Sequence, residues 1–468
     1  MDKKKLVSWA WQAVGVGVII SYVLAMYAVI STSLVPGKYL LLVILIPGII
    51  TLLLAALIFK DRLSRRKKIA TGIVSVLVII ANLYVFSVGM ATTKFFDAIQ
   101  DDGFSYEEYS IIAEKDRHIK LNANNDTTGV LKTDANYDVV KAEVDERTKT
   151  SYKDFDEITS ATLAMTDESI DTAAIKSSYV QLLKENTPAF YQGIEVLATF
   201  TVKVKKDTAA TKTDITKPFV LYVSGIDTYG AISTVSRSDV NIIIVVNPQT
   251  HKILQVTTPR DYYVQLHGTT GSKDKITHAG IYGIDMSEKT IEDLYGINID
   301  YYMRVNFATL ENIVDTLGGV TVYSDNAFNA GGYAFTVGDN QMNGKQALAF
   351  SRERHSFEDG DRTRGKNQQR VIEAIIRKMS TPNTIVTYGQ ILKSLEGTFQ
   401  TNASASEIGA IMNQQMESMR DWQMESISVD GTGATATTYS MGATPLYVMQ
   451  PDQASVDSAK QKIQQYTK

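Results

Sequence analysis

Hydrophobic positions fall into two regimes along the chain. In the first ninety residues they form unbroken runs: Trp9–Ile30, Tyr39–Phe59 and Ile69–Met90 contain no Asp, Glu, Lys or Arg. Each is about 21 residues or longer, enough at about 1.5 Å per residue to cross a bilayer core of about 30 Å. A buried globular helix of that length would show a polar stripe. A cleaved signal segment would account for one such run, not for three. Three transmembrane helices, at 9–30, 39–59 and 69–90, are therefore expected within a membrane domain 1–93.

Beyond Phe95 the runs shorten. Glu107–Ala113 predicts a strand, Asn136–Thr148 a helix, Ala173–Glu185 a helix and Ile194–Lys205 a strand. They describe a small α+β accessory domain, 94–212, without a ligand constellation. The Thr-rich linker Lys206–Lys217 closes it. Pro218–Asp227, Ser236–Asn247 and His251–Asp261 are then apolar on both faces, as strands of a sheet covered by helices are. Helical patterns follow at Glu288–Leu294 and Phe307–Leu317, and Val320–Tyr323 returns to a strand. This predicts a three-layer α/β/α domain with a central mixed sheet over 213–468. Its last part reads as a helix from about Arg364 to Met379, a polar segment Asn383–Thr401 and a helix Ser406–Met419 capped by Ser406. A strand Met424–Val429, a loop Gly431–Thr438 and a terminal helix Asp452–Tyr466 complete it.

Charge adds direction. Lys3, Lys4 and Lys5 precede the first run, and Lys60, Arg62, Arg65, Arg66, Lys67 and Lys68 lie between the second and third. The positive-inside rule places these in the cytoplasm and everything after about Thr93 outside. The basic loop is explained by topology and anionic lipid. Residues 1–68 carry ten Lys or Arg against two Asp, a net +8, which leaves −12 for the rest of a chain whose total is −4. The chain has no cysteine, which excludes disulfides, thiolate nucleophiles and cysteine-ligated metals.

Against that acidic outer portion, Ser351–Arg370 (SRERHSFEDGDRTRGKNQQR) is unusual in gathering Arg352, Arg354, Arg362, Arg364 and Arg370. It follows the short apolar segment Ala347–Phe350 and reads as a strand-to-loop-to-helix junction, a place where anion sites form. Arg352 and Arg354 share a face if extended, and Arg364 and Gln368 share a helix face. Planar guanidinium forks favour a phosphate or pyrophosphate; a surface ion-pair network with Glu353, Glu358, Asp359 and Asp361 is the other reading. Asp227, Arg237, Asp239, Arg260 and Asp261 stand at ends of predicted strands, where ligands collect. Asp227 and Asp239 form either a hard oxygen site for Mg²⁺ or Mn²⁺ or two separate turn acids. Lys275 is a further cation for an anion. His278 reads as structural or as site lining, His355 as a proton shuttle, and Asp261 as a base or as the partner of Arg260. No Ser-His-Asp arrangement, Walker loop or HExxH pattern appears.

The blocks SRSDVNIIIVVNPQTHKILQVTTPRD, DKITHAG, DYYMRVNFATLENIVDTLGGVTV and NGKQALAFSRERHSFEDGDRTRGKNQQRVI, in this order, resemble the LytR-CpsA-Psr family, and most closely its streptococcal capsule type. The resemblance covers about Lys217 to Met379. Tyr282-Gly283 departs from it, since many relatives carry Gly-Gly there. The resemblance implies a phosphotransferase that moves glycopolymer, here capsular polysaccharide, from undecaprenyl pyrophosphate to peptidoglycan outside the membrane. It also implies an apolar cavity for the lipid. Carried over by residue, Asp227 and Asp239 would hold Mg²⁺, with Mn²⁺ as the alternative. Arg237, Arg260, Arg352, Arg354, Arg364 and Gln368 would bind the pyrophosphate, with Arg362 and Lys275 beside them. Asp361 would orient Arg364 or Arg362, and Asp239, Arg237, Arg364 and Asp361 would form the catalytic set. Membrane lipid and capsule assembly proteins are further expected partners. Nucleic acid is not, because the cytoplasmic segments are too short for a helix-turn-helix. The alternative is a non-catalytic, polyprenyl-pyrophosphate-binding regulator of capsule assembly.

Overall fold

The computed structural model describes residues 3–32, 35, 37–60, 63–99, 103–121, 126–205, 214–226, 232, 235–381, 391, 394–395, 397–418 and 420–468. They form two compact units. One comprises Met1–Gln100, Arg377–Glu396 and Ala403–Asp421; the other comprises Asp101–Ile376, Gly397–Asn402 and Trp422–Lys468.

In the first unit, helices Lys3–Thr32, Gly37–Phe59 and Arg65–Ile99 are each long and apolar enough to cross a membrane. Small residues let them approach closely. A Cβ on Gly89 would come 2.6 Å from that of Ala28, and one on Gly48 would come 2.9 Å from the Tyr22 hydroxyl. Polar groups turn inward: Asn82 donates to Ser21 at 3.2 Å, and the Trp11 indole donates to the Ile58 carbonyl at 3.1 Å. Helix Ala405–Ser418 also belongs here. It is capped by Ser404, not by Ser406: the Glu407 N–H donates to Ser404 Oγ at 3.3 Å while the Ser404 N–H donates to the Glu407 carboxylate at 2.8 Å.

The second unit holds two large sheets. The first orders its strands Thr150–Phe155, Asp126–Leu131, Thr172–Lys176, Phe104–Glu114 and Ile194–Lys205. Thr172–Lys176 was expected to be helical at Ala173. Its side chains are all buried in the sheet, and the helix begins only at Ser177. A charged knot is buried beneath: Lys176 Nζ is 2.5 Å from Glu107, which also accepts from Asn136 at 2.9 Å and from the Tyr109 hydroxyl at 3.2 Å. Burial, with Asp134 and Glu107 adding to it, pushes the Tyr109 hydroxyl far up, so it stays a donor.

The central sheet orders Phe399–Thr401, Tyr301–Val305, Phe219–Ile226, Ser238–Asn247, Lys252–Thr258 and Gln423–Ser428, with parallel and antiparallel pairs. Val220, Tyr222, Ile243, Val245, Leu254 and Val256 face helices Ile284–Tyr295 and Gln453–Tyr466. Val223, Ile242, Ile244 and Ile253 face Ile372 and Ile376 of helix Gly360–Met379. The result is the expected α/β/α layering. On the second face Leu221, Val240, Val246, Met303 and Val305 remain only half-buried. Ile281, Met441 and Leu446, which lie outside the central sheet, join the core of Ile158, Met165 and Leu183 under the first sheet.

Three local expectations change. Ala347–Phe350 is not extended but lies in helix Gly344–Arg352, which an Asn343–Gln346 capping box starts. Val320–Ser324 is a strand, yet it pairs with Gly338–Met342 outside the central sheet. Gly431–Thr438 is a strand, not a loop, and forms a hairpin with Gly442–Pro451. Most of Asn383–Thr401 lies outside the described residues, although Phe399–Thr401 forms an edge strand.

The Glu107 knot yields a stability prediction. Lys176→Met leaves the Glu107 charge buried and lowers unfolding stability by about 3 kcal/mol, and adding Glu107→Gln restores part of it. Urea unfolding of the protein in detergent, compared among the parent and the two variants, measures this. A single variant no less stable than the double would contradict it.

Candidate functional site

In the central sheet Gly225 stands opposite Val305, Ile226 opposite Ser238, Asn241 opposite Thr258 and Ser428 opposite Thr257. The carboxyl ends of four strands and the start of Ser238–Asn247 thus share one edge, where ligands gather in open α/β sheets. The register shifts between Gly225 and Ile226, a bulge of the kind that re-aims side chains beside a site. Just beneath, Tyr222 donates to Asn241 Oδ1 at 2.6 Å and the Ser224 and Ser238 hydroxyls meet at 2.7 Å. Gly280 lets its turn lie on the start of this strand: a Cβ there would come 2.5 Å from Ser236 O and 2.6 Å from Ser238 N.

Asp239 occupies the centre of this edge. Its side chain is 13% exposed. Oδ1 accepts from the Thr277 hydroxyl at 2.7 Å, and Oδ2 accepts from Arg260 at 3.2 Å. Arg260 Nε lies 3.6 Å from Asp261, whose other oxygen is 2.9 Å from Lys275 Nζ. At the start of helix Gly360–Met379, Asp361 is 3.0 Å from Arg364 and 4.0 Å from Arg354. Arg237 pairs with Glu185, which comes from helix Ser177–Asn186 of the accessory sheet. Charge coupling joins the two sides, Arg260 to Asp361 and Arg364 to Asp239.

The electrostatics follow from burial and neighbours. Burial pushes the Asp239 carboxyl up, but Arg260 and Arg237, the Thr277 hydrogen bond and Arg364 outweigh it and hold the group below the ordinary carboxylate range. Burial likewise opposes the charge on Arg237 and Arg260. Asp239 with Glu185 for the first, and Asp239 with Asp261 for the second, more than compensate, and both are raised. Arg364 differs: burial lowers it, Arg260 and Arg354 add to that, and Asp361 and Asp239 do not make up the loss. Five cations, Arg237, Arg260, Lys275, Arg354 and Arg364, thus face four carboxylates, Asp239, Asp261, Asp361 and Glu185.

The other sequence candidates lie around this cluster. Arg352 ends its helix and sits 4.2 Å from the ring centroid of Phe307, which opens the helix after Tyr301–Val305. Gln368 is half-buried one turn beyond Arg364. Asp361 reaches Arg364 and Arg354, whereas Arg362 is exposed and pairs with Asp430. Arg370 pairs with Asp325 at 2.5 Å. Asp227 lies outside the described residues. Asp239, ionised and carrying hard oxygens, fits a divalent cation as one ligand; among the described residues no three metal-ligating side chains converge.

Some participants were not legible. Glu185 and Asp430 lie far from the motif blocks and carry no local signal. Thr277 is inside DKITHAG and could have been found there. Ser440, His278 and Asp274 do meet: the Ser440 hydroxyl and the Asp274 carboxylate lie 2.8 Å and 2.7 Å from the same ring nitrogen, Nδ1. Both contacts on one nitrogen leave no relay across the imidazole. With His278 and Asp274 buried, this is a structural bolt, which also takes the Ser440 N–H onto Asp274 at 2.8 Å.

An α/β/α sheet whose strand ends carry interlocked arginines and carboxylates defines a protein of the open-sheet class. Residues 189–465 match the LytR_cpsA_psr family, and the chain belongs to that family. It is 35% identical over 231 residues to the polyisoprenyl-teichoic acid–peptidoglycan teichoic acid transferase TagU of Bacillus licheniformis, covering 49% of this chain and 74% of the relative. The Bacillus subtilis protein of the same name is 32% identical over 231 residues, with the same coverage of 49% and 74%. Among solved structures, B. subtilis TagU aligns at 30% identity with a TM-score of 0.43, covering 54% of this chain and 97% of that one.

Two outcomes follow from the charges. Because the folded state holds Asp239 below its unfolded value, its stabilisation is complete above about pH 4 and is lost as pH falls through the folded value. Unfolding midpoints measured from pH 5 downwards should fall less steeply in Asp239→Asn than in the parent, and parallel curves would contradict this. Glu185→Gln adds one net positive charge beside Arg237 and should tighten binding of inorganic pyrophosphate about threefold at low salt. Calorimetric titration reads this, and unchanged or weaker binding would contradict it.

Proposed function

We propose that the protein transfers a glycopolymer from a polyprenyl diphosphate carrier to peptidoglycan outside the membrane. The observation that carries this reading is the Arg260–Asp239 and Arg364–Asp361 cluster, in which five cations face four carboxylates. A diphosphate offers paired oxygens for guanidinium forks that are already oriented by carboxylates. The half-buried apolar residues Leu221, Val240, Met303 and Val305 on one face of the same sheet suit a prenyl chain. The relatives' names describe transferases that use a polyisoprenyl-linked polymer and peptidoglycan. Three apolar helices ahead of the domain suit a lipid-linked substrate, and the positive-inside rule puts the site outside.

In this mechanism Arg237, Arg260, Arg354 and Arg364 bind the diphosphate oxygens, with Lys275, Arg352 and Gln368 at the margin. A sugar hydroxyl of peptidoglycan attacks the phosphorus nearer the glycan. A new P–O bond forms, the bond to the prenyl phosphate breaks, and the hydroxyl proton leaves to solvent. In such transfers positioning and charge stabilisation supply most of the rate. Asp239, Asp261 and Asp361 keep the guanidiniums aimed, so little reorganisation is needed as charge spreads. Asp239 and Asp227 would hold Mg²⁺ or Mn²⁺, which supplies charge neutralisation at a phosphate oxygen. The polymer we propose is capsular polysaccharide, joined through a phosphodiester.

The test uses the protein in detergent with Mg²⁺, a prenyl-diphosphate-linked oligosaccharide and ³¹P NMR. Release of prenyl phosphate is expected, and Asp239→Ala and Arg364→Ala should each slow it at least about 100-fold. Binding of the lipid without any cleavage would defeat the transferase reading in favour of a carrier-binding regulator.

A further inference from the structure

The C-terminal hairpin Gly431–Thr438 and Gly442–Pro451 has no role in the site described above, yet it is fastened to it. The Met449 N–H donates to Asp261 O at 2.7 Å, between strand residues and the loop that carries Arg260. The Tyr439 N–H donates to Lys273 O at 3.0 Å, and the Tyr263 hydroxyl donates to Thr437 O at 2.7 Å. The Asp274–His278–Ser440 bolt holds the turn between the two strands. The hairpin is therefore a rigid wall beside the loop of Arg260 and Asp261.

On this wall stands Tyr447, paired across the strands with Thr435 and 51% exposed. Gly433 leaves room for the outer half of its ring: a Cβ there would come 3.1 Å from ring Cε2 and 3.2 Å from the hydroxyl oxygen. The ring is thus located by the backbone without being covered. It borders the anion cluster, with Lys275 Nζ 6.0 Å from its centroid. Burial raises the Tyr447 hydroxyl, and the charges of Asp261 and Asp361 raise it further.

A single exposed tyrosine needs no explanation on a protein surface. This one sits at the rim of a site that, on the reading proposed above, holds a diphosphate carrying a glycan. A pyranose offers an apolar C–H face to an aromatic ring and hydroxyls to the groups around it. A tyrosine on a rigid strand gives such contact at little entropic cost. The exposed Thr435 and Thr437 on the same strand pair, and Lys275 on the other side, supply polar groups near the ring. We propose that Tyr447 is a stacking platform for a pyranose ring of the glycan, adjoining the diphosphate site.

The test compares three probes on the full chain in detergent: geranyl diphosphate, geranyl-diphospho-N-acetylglucosamine, and free chitotetraose. Tyr447→Ala is expected to weaken the sugar-bearing diphosphate about five- to tenfold while leaving geranyl diphosphate unchanged, and Tyr447→Phe to bind all three as the parent does. A loss confined to chitotetraose would also support a pyranose platform and would assign it to the acceptor glycan. Equal losses for geranyl diphosphate and its sugar-bearing form, or no loss for any probe, would overturn the proposal. Failure of the parent protein to bind geranyl diphosphate would instead refute the diphosphate reading, and the chitotetraose comparison would still decide the platform.

Discussion

Asp239 and Arg260 meet at an edge of the central sheet where neither charge is well solvated. Removing either partner would leave a mostly buried charge less well compensated. The pairing is sustained because Thr277 takes the second carboxylate oxygen and Arg237 and Arg364 add to the field. Much of the remaining architecture places these groups. The bulge at Gly225 and Ile226 turns the start of Ser238–Asn247, and Gly280 lets the Thr277 segment close upon it. The helix from Gly360 brings Asp361 and Arg364 from the far side.

The accessory sheet is bound into the same arrangement. Glu185 reaches Arg237, and the Tyr179 hydroxyl lies 2.9 Å from that of Tyr282. Tyr282 is the position at which the sequence departs from relatives that carry glycine there. Its ring meets Tyr179 and Tyr439 at centroid distances of 6.4 and 6.0 Å, contacts that a glycine could not make. The departure is explained by packing against the accessory sheet rather than by chemistry. Through Glu185 that sheet also sets the charge on one arginine of the cluster.

Much of this was legible in the sequence, and the exceptions have physical causes. The runs apolar on both faces identified the strands of the central sheet, because burial on both sides leaves no alternation to misread. Asp239, Arg260, Asp261 and Arg364 were found because strand ends and helix starts are marked by abrupt changes of polarity. The segment Ala347–Phe350 was misread because four apolar residues do not distinguish a strand from a helix turn, and the Asn343–Gln346 cap that settles it lies just upstream. The hairpin from Gly431 was missed because Gly, Thr and Ala give no apolar alternation. Glu185 and Asp430 were illegible because only the fold brings them to Arg237 and Arg362.

The central claim is that interlocked carboxylates hold the arginines ready for a diphosphate. A crystal structure with a prenyl diphosphate bound tests it most directly. The account predicts diphosphate oxygens within hydrogen-bond distance of Arg260 and Arg364, with Asp361 still on Arg364 and the prenyl chain against Leu221 and Met303. A diphosphate bound elsewhere, with the Arg260–Asp239 and Arg364–Asp361 pairs untouched by ligand, would contradict it.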